Sequence, residues 1–383
     1  MKLPDPDKNA QAVSEALCRL IASEIEQRNG WISFARYMEL ALYSPALGYY
    51  SGGAVKLGRE GDFTTSPEIS PLFAAALAYP VSSLIAQTTP HIMEFGAGSG
   101  KLARDLLTEL AHLGVFVEQY AIVDLSGEFR ARQQEMLHDF PQVIWLDHLP
   151  DAFSGVVIGN EVLDAMPVQL VRKSTDGWHE IGVALENGQF AYHQRICDSM
   201  LQAQIQTQIP DADSLPDGYL TEVHTQAIGF IHTLAAMIVA GDAGAAIFID
   251  YGFPAHEYYL EQRAQGTLMC HYRHHAHPSP FWLPGLQDIA AHVDFTLTAQ
   301  AAIDGGLDLL CYMNQASFLM AAGIGNLLLR TSPEDAKNYL PQSGAVQKLL
   351  SPSEMGELFK VLVLGKNVVL PEVFGLADRS YRL

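Results

Sequence analysis

Two stretches of the chain concentrate side chains that could do chemistry. In HIMEFGAGSGKLARDLL, residues 91–107, Glu94 precedes the glycines Gly96, Gly98 and Gly100, and an amphipathic run follows. In IGNEVLDAMP, Asn160, Glu161 and Asp164 close a short apolar run. Glycines between an apolar run and a helical pattern let the backbone turn sharply and let a ligand approach closely. The helix that follows offers free N–H groups to an anion. A dinucleotide is the first ligand to weigh, but its fingerprint is GxGxxG, and here Lys101 holds the third position, so the glycines run GxGxG. Asp124, in YAIVDLS, ends the next apolar run, where a carboxylate can grip both hydroxyls of a ribose. Leu125 and Ser126, directly after it, join the same cofactor-binding set. An acid at Glu94 is awkward for a pyrophosphate. It suits S-adenosylmethionine (SAM), which carries an ammonium and a sulfonium, with the helix N-terminus holding the methionine carboxylate. The alternative is a helix packed close to a strand with no ligand, and Asp124 at the second strand end speaks against it.

Bringing these groups to one edge takes a parallel sheet. Apolar runs at 92–95, 120–123, 143–146 and 156–158 alternate with helical spacing at 102–113 and 128–137. That alternation predicts a doubly wound α/β fold with ligands at the C-terminal ends of its strands. Ahead of it, Val13, Leu17, Leu20, Ile21 and Ile25, then Phe34, Tyr37, Met38, Ala41 and Leu42, give two helical stripes. GREGDFTTSPEISPLF is expected to open a further helix near Pro67 with Ser66 as its N-cap. Residues 1–85 thus read as an N-terminal helical extension and 86–383 as the core. After Pro167, period-two alternation with turns at Asp176-Gly177 and Asn187-Gly188 predicts an antiparallel insertion, placed at about 168–240. A helix is expected over 221–240, a buried strand in AAIFIDYG, a loop in CHYRHHAHPSPF, and a strand over 294–302. Helices are expected over 317–330 and 334–350, and a last strand over 359–364.

The chain has 383 residues, 49% apolar and 17% charged, enough to bury a sizeable core. A net charge of −20 disfavours nucleic acid, whose phosphates reward Lys and Arg, and favours a cationic partner or simply solubility. Cys18, Cys197, Cys270 and Cys311 lie far apart with no CxxC pair, so neither a disulfide framework nor a zinc knuckle is indicated. No apolar run reaches the roughly 18 residues of a membrane span. MKLPDPDKNAQ has neither an apolar signal core nor an Arg-rich presequence, and a cytoplasmic protein is expected.

EFGAGSGKLARDLL resembles motif I of the class I SAM-dependent methyltransferases. The wider resemblance is to the MidA-type family, which includes the mitochondrial complex I assembly factor that methylates a protein arginine. MELALYSPALGYY, GREGDFTTSPEIS, MEFGAGSGKLARDLL, IGNEVLDAMPVQL, FIDYGF, GTLMCHYRHHAHPSPF, DIAAHVDF and LLSPSEMGELFKVL carry it, in order, over nearly the whole chain. GWISFARYM fits as well. Motif I departs from many members in having no Pro or Arg among its glycines. The resemblance implies a Rossmann-like, seven-stranded, mostly parallel sheet. It also implies that the N-terminal extension and an α+β insertion after the fourth strand cover the substrate side. It implies that Gly61, Asp62, Phe63, Ser66 and Pro67 reach over the SAM site; read alone, GDFTTSPE could equally cap a helix. A homodimer is compatible with it.

Methyl transfer requires in-line alignment and exclusion of water. A guanidinium acceptor is planar, forked and permanently charged, and carboxylates hold it by paired N–H···O bonds. Glu161 and Asp164, with Asn160 beside them, are the candidate catalytic residues, and Glu222 in YLTEVH is a third carboxylate to consider. The alternative is that Asp164 caps a helix and backbone N–H groups hold Glu161. Asp250 and Tyr251 are expected to line the same cleft or to form a buried strand-end pair. His271, His274, His275 and His277 invite a metal reading, but they share one loop with Arg273, and no metal is expected. The expectation is therefore a SAM-dependent methyltransferase acting on an arginine-bearing basic protein or peptide. The rivals are a SAM-binding assembly factor with little catalysis, a small-molecule methyltransferase, and an NAD-dependent dehydrogenase.

Overall fold

A computed structural model describes residues 3–52 and 64–383. Two compact units emerge. Residues 64–163, 230–252 and 298–383 form the sheet unit, and 1–63, 164–229 and 253–297 form the insertion unit.

The sheet unit is built on seven strands: β1 (His91–Phe95), β2 (Gln119–Val123), β3 (Val143–Trp145), β4 (Gly155–Asn160), β5 (Gly244–Phe253), β6 (Asp308–Asn314) and β7 (Phe359–Lys366). Their order is β6-β7-β5-β4-β1-β2-β3. The pairs from β5 to β3 are parallel, and β7 runs antiparallel between β5 and β6. This is the mostly parallel class I methyltransferase arrangement. The strands are continuous apolar runs because both faces are covered. Ile92, Tyr120, Val156, Ile158, Ile247 and Val361 share one buried cluster with Leu102, Leu106 and Leu110 of helix Lys101–His112. The strand order reverses between β1 and β4, so a crevice opens at the ends of those two strands. Phe95 pairs with Gly159, which places Gly96 next to Asn160.

The insertion unit has its own cores. Asp7 caps helix Lys8–Gln27, accepting from Asn9 and Ala10 N–H at 2.9 Å each, and Ser33 caps helix Phe34–Tyr43. Leu17, Ile21, Tyr37 and Met38 pack with Val168, Leu170, Ile181, Cys270 and Ile289. Strand Gly177–Glu186 pairs on one edge with Gln169–Ser174 and Ile32–Ser33, and on the other with Gln189–Ile196. Asn187 (φ 51°) and Gly188 (φ 78°) make the second hairpin turn, where both central residues need positive φ.

Several expectations change. The first boundary falls at 63/64 rather than 85, because Phe73, Leu77, Val81 and Leu84 of helix Pro71–Ile85 belong to the core under the sheet. Ser66 is not an N-cap: it lies inside helix Ser66–Ile69, and its hydroxyl donates to Gln315 Oε1 at 3.1 Å. The insertion has a second segment, 253–297, since Cys270 and Ile289 share the core of Leu17 and Val168. Residues 220–223 are a strand pairing with Gln169–Arg172, and the helix begins only at Thr225. The histidine-rich stretch is a hairpin, Met269–Tyr272 with His275–His277, turning at Arg273 and His274 with positive φ. Residues 295–304 are a helix, capped where Asp294 Oδ1 accepts Leu297 N–H at 3.0 Å.

Candidate functional site

The glycine loop leaves β1 with three left-handed residues: Gly96 (φ 64°), Gly98 (φ 53°) and Gly100 (φ 84°). A side chain at any of them would be strained. At Gly96 a Cβ would also crowd Val162, 3.3 Å away in the loop after β4. Gly100 stands at the N-cap of helix Lys101–His112 and has no side chain to cap it; Ser99 Oγ accepts Lys101 N–H at 3.3 Å, and the N–H groups of Leu102 and Ala103 that follow are open to an anion.

Lys101, which breaks the dinucleotide pattern, has a structural role. Its Nζ donates to the carbonyls of Pro67 (2.7 Å) and Glu68 (3.1 Å), and Ser99 Oγ donates to Glu68 Oε1. These bonds tie helix Ser66–Ile69 to the glycine loop and place Pro67, which is buried, beside it. Gly61, Asp62 and Phe63 lie outside the described residues.

Glu94 is 2% exposed on β1 and accepts from the Tyr120 hydroxyl at 2.7 Å. Burial pushes its carboxyl up to about 8; the Tyr120 bond opposes that, and the charge of Asp124 adds to it. Asp124 ends β2 half-buried. Its Oδ1 accepts Ser126 N–H at 2.9 Å and its Oδ2 accepts Gln133 Nε2 at 2.8 Å. Burial raises its carboxyl as well, against both bonds. Ser126 Oγ caps helix Gly127–Met136 through Phe129 N–H, and Leu125 is 80% exposed.

At the end of β4, Asn160 Nδ2 donates to Glu161 Oε1 at 3.0 Å. Asn160 Oδ1 is buried and meets no hydrogen-bond partner among the described residues. Glu161 is a non-glycine residue at φ 55°, with its N–H on Ile249 O. The carboxylate that gathers the loop's backbone is Asp250 of β5. Its Oδ2 accepts Val162 and Leu163 N–H at 3.1 and 2.9 Å, and its Oδ1 accepts Tyr251 N–H. Asp250 therefore sets the loop rather than facing a ligand. Asp164 is buried in the insertion unit; its carbonyl accepts Ala291 N–H, and no helix follows for it to cap.

Glu222 is not a clamp residue. Fully buried, it accepts Thr267 and Leu268 N–H on Oε1 and the Tyr258 hydroxyl on Oε2, at 2.7 to 3.0 Å. Its carboxylate is spent on holding its own unit together. Among the described residues no three His, Cys, Asp or Glu side chains are arranged to hold a metal. Burial draws His271 and His277 below the ordinary imidazole range.

A buried orphan acceptor, a glycine loop against an open helix N-terminus and a carboxylate at the β2 end fit the ammonium, carboxylate and ribose of SAM. Residues 75–313 match the family described as "Putative S-adenosyl-L-methionine-dependent methyltransferase". The chain belongs to this family. A crystal structure of a "likely methyl transferase" from Burkholderia thailandensis bound to S-adenosyl-homocysteine is 51% identical over all of both chains, with a TM-score of 0.94. The cofactor of this methyltransferase is SAM. "Protein arginine methyltransferase NDUFAF7, mitochondrial" of Danio rerio is 28% identical, covering 92% of this chain and 87% of its own length. The Mus musculus protein of that name is also 28% identical, covering 88% and 81%. These names overturn the cytoplasmic placement read from the N-terminus, since the relatives are named as mitochondrial proteins. Among the described residues no helix is long and apolar enough to cross a membrane.

Sequence reasoning missed Gln133. It is 0% exposed, and it donates to Gly98 O (3.0 Å) and Asp124 Oδ2 (2.8 Å) while accepting from Trp145 Nε1 (2.9 Å). Helix Gly127–Met136 is polar almost throughout, and only Phe129 and Gln133 of it are buried. The one sequence signal that separates Gln133 from its neighbour Gln134 is its spacing, four residues after Phe129 and four before Leu137, on the face that both bury.

Proposed function

We propose that this methyltransferase acts on an arginine side chain of a protein. Glu161 supports the reading most: a carboxylate at the end of β4, on left-handed backbone beside Asn160, in a chain whose relatives are named protein arginine methyltransferases. Left-handed backbone at a non-glycine residue costs about 1–3 kcal/mol and concentrates at functional sites. SAM supplies an electrophilic methyl on a sulfonium. Transfer forms an N–CH3 bond, breaks the S–CH3 bond and releases one guanidinium proton. Glu161 takes paired N–H bonds from the guanidinium, fixes its plane and localises the electron pair on one nitrogen. On the cofactor side, Glu94 and Asn160 meet the ammonium. The N–H groups after Gly100 meet the carboxylate, and Asp124, flanked by Leu125 and Ser126, meets the ribose. Gly96 and Gly98 leave room for the methionine chain, and Pro67 borders the loop.

The acceptor is an arginine in a flexible segment of a basic protein. A respiratory complex I subunit is the first to try, on the family resemblance. The test is transfer of radiolabelled methyl from SAM into a cell lysate, with the labelled residue mapped by mass spectrometry. Methylarginine in one protein is expected. Label on lysine or only in small molecules overturns the arginine reading, and SAM binding without transfer makes the chain a non-catalytic assembly factor.

A further inference from the structure

We infer that Gln133 is a positioning residue: its amide holds the glycine loop and Asp124 in one register and so makes cofactor affinity depend on the ribose hydroxyls. The inference rests on the proposed grip of Asp124 on the ribose. An indole N–H can only donate, so the bond from Trp145 Nε1 fixes which end of the amide is oxygen. The NH2 end must then face Gly98 O and Asp124 Oδ2, and both of its hydrogens are used. Ser126 N–H holds the other carboxylate oxygen. The carboxylate is thus fixed at both oxygens, each with acceptor capacity left, which is what a pair of vicinal hydroxyls needs. Gly98 lies on the loop after β1 and Asp124 at the end of β2. One buried side chain therefore spans the methionine and ribose ends of the site. Gly100 lies close against its backbone, where an added Cβ would stand 3.4 Å from Gln133 Cα.

Calorimetry tests this with two ligands, S-adenosyl-homocysteine and its 2′,3′-dideoxy analogue, on wild type, Gln133→Leu, Asp124→Asn and the double variant. Gln133→Leu should weaken S-adenosyl-homocysteine about tenfold and the dideoxy analogue by no more than two- to threefold, because the bond to Gly98 O is lost for both ligands and the hold on Asp124 matters only to the first. In the ratio of the two ligand affinities the double variant should match Asp124→Asn alone, the sign that the hydroxyl-dependent part runs through one contact. Trp145→Phe, which frees the amide to turn over, should show the same ligand pattern at two- to threefold and serves if Gln133→Leu does not fold. Equal losses for both ligands, or a folded Gln133→Leu protein with wild-type affinity for both, overturn the inference while Asp124→Asn still discriminates. If Asp124→Asn does not discriminate, the ribose reading itself has failed, and the inference falls with it.

Discussion

Two buried acidic regions of this chain look alike in sequence and differ in what surrounds them. In the insertion unit, Glu222 takes hydrogen bonds from two backbone N–H groups and a tyrosine hydroxyl, and Tyr258 in turn meets His224 Nε2 and Thr267 Oγ1 at 3.1 and 3.0 Å. In the sheet unit, the C-terminal ends of β1, β2 and β4 present Glu94, Asp124, Asn160 and Glu161, and Asn160 Oδ1 is left without a partner among the described residues. Burying a polar atom without a partner costs free energy, so a fold keeps one mainly where a ligand completes it. A carboxylate supplied by its own chain is architecture; an acceptor left over points to a ligand where other cofactor groups gather beside it, as at Asn160, since Gln169 Oε1 and Gln287 Oε1 of the insertion unit are also buried without a partner among the described residues. Asp250 confirms the distinction inside the sheet unit itself: it sits at the same sheet edge, yet its oxygens are occupied by the N–H groups of 162, 163 and 251.

The largest effect expected from this contrast is on stability. Glu222→Ala strands two N–H groups and a hydroxyl in a fully buried site. It should cost about 3–5 kcal/mol, the sum of the penalties for those groups. Urea unfolding followed by circular dichroism measures it; a loss below about 1 kcal/mol would mean that the network is not what holds Glu222. Next comes Glu161→Gln, which keeps the shape and removes the charge. The rate of methyl transfer should fall about a hundredfold, near 2.7 kcal/mol of barrier, with SAM affinity almost unchanged. Single-turnover kinetics on the mapped acceptor decide it, and a wild-type rate removes Glu161 from the chemistry.

Smaller effects should follow at the cofactor edge. Gly98→Val forces a β-branched residue to φ 53° on the loop proposed to pass the methionine chain, and Asn160→Ala removes the orphan acceptor. Each should weaken SAM at least tenfold, about 1.4 kcal/mol. Asn160→Ala should do so with little loss of thermal stability, because the unsatisfied buried oxygen goes together with the single bond from Nδ2 to Glu161, and the two changes offset. A drop in melting temperature with intact SAM binding would put Asn160 on the Glu222 side of the comparison.

How much of this was legible depends on how each residue advertises its environment. Strands β1 to β5 declare themselves as short apolar runs, and the glycines with Asp124 mark the ligand edge before any coordinates. β6 does not: it begins with exposed Asp308 and half-buried Leu309 and Leu310, and a bulge after Leu309 breaks its alternation. FTLT at 295–298 reads as alternation over four residues, whereas Phe295, Ala299 and Ala302 form one buried helical face behind the Asp294 cap. Glu222 was drawn into the apolar helix that follows it, although strand Leu220–Val223 is fixed by pairing with a segment some fifty residues earlier. Gln133, and the partners of Asp250 in the loop after β4, were out of reach for the same reason: these are contacts distant in sequence, and a side chain's type does not say which backbone it will meet.

The most specific effect is one of pH. With its carboxyl at about 8, Glu94 is mostly protonated at pH 7 in the cofactor-free protein. An ammonium beside it favours the ionised form, so SAM binding near neutrality should release a proton. Affinity should then rise with pH, approaching tenfold per unit well below 8 and levelling as Glu94 ionises unaided. The ligand's own α-ammonium, with an ordinary value of about 8, loses its proton above that. The profile should therefore be a bell with its maximum near 8. Stability without cofactor moves the opposite way. The folded carboxyl binds its proton more tightly than the unfolded one, so between the ordinary glutamate value of 4.5 and about 8 the folded state holds more protons, and stability falls as pH rises through that window. Glu94→Gln can still accept from the Tyr120 hydroxyl and has no charge to lose. It should flatten the rising limb of the affinity profile and raise the melting temperature of the cofactor-free protein at pH 8. Calorimetry from pH 6 to 9, in buffers of different ionisation enthalpy, counts the released proton directly. A flat wild-type profile between pH 6 and 8 would remove Glu94 from the ammonium site and leave it, like Glu222, as a carboxyl kept for the fold.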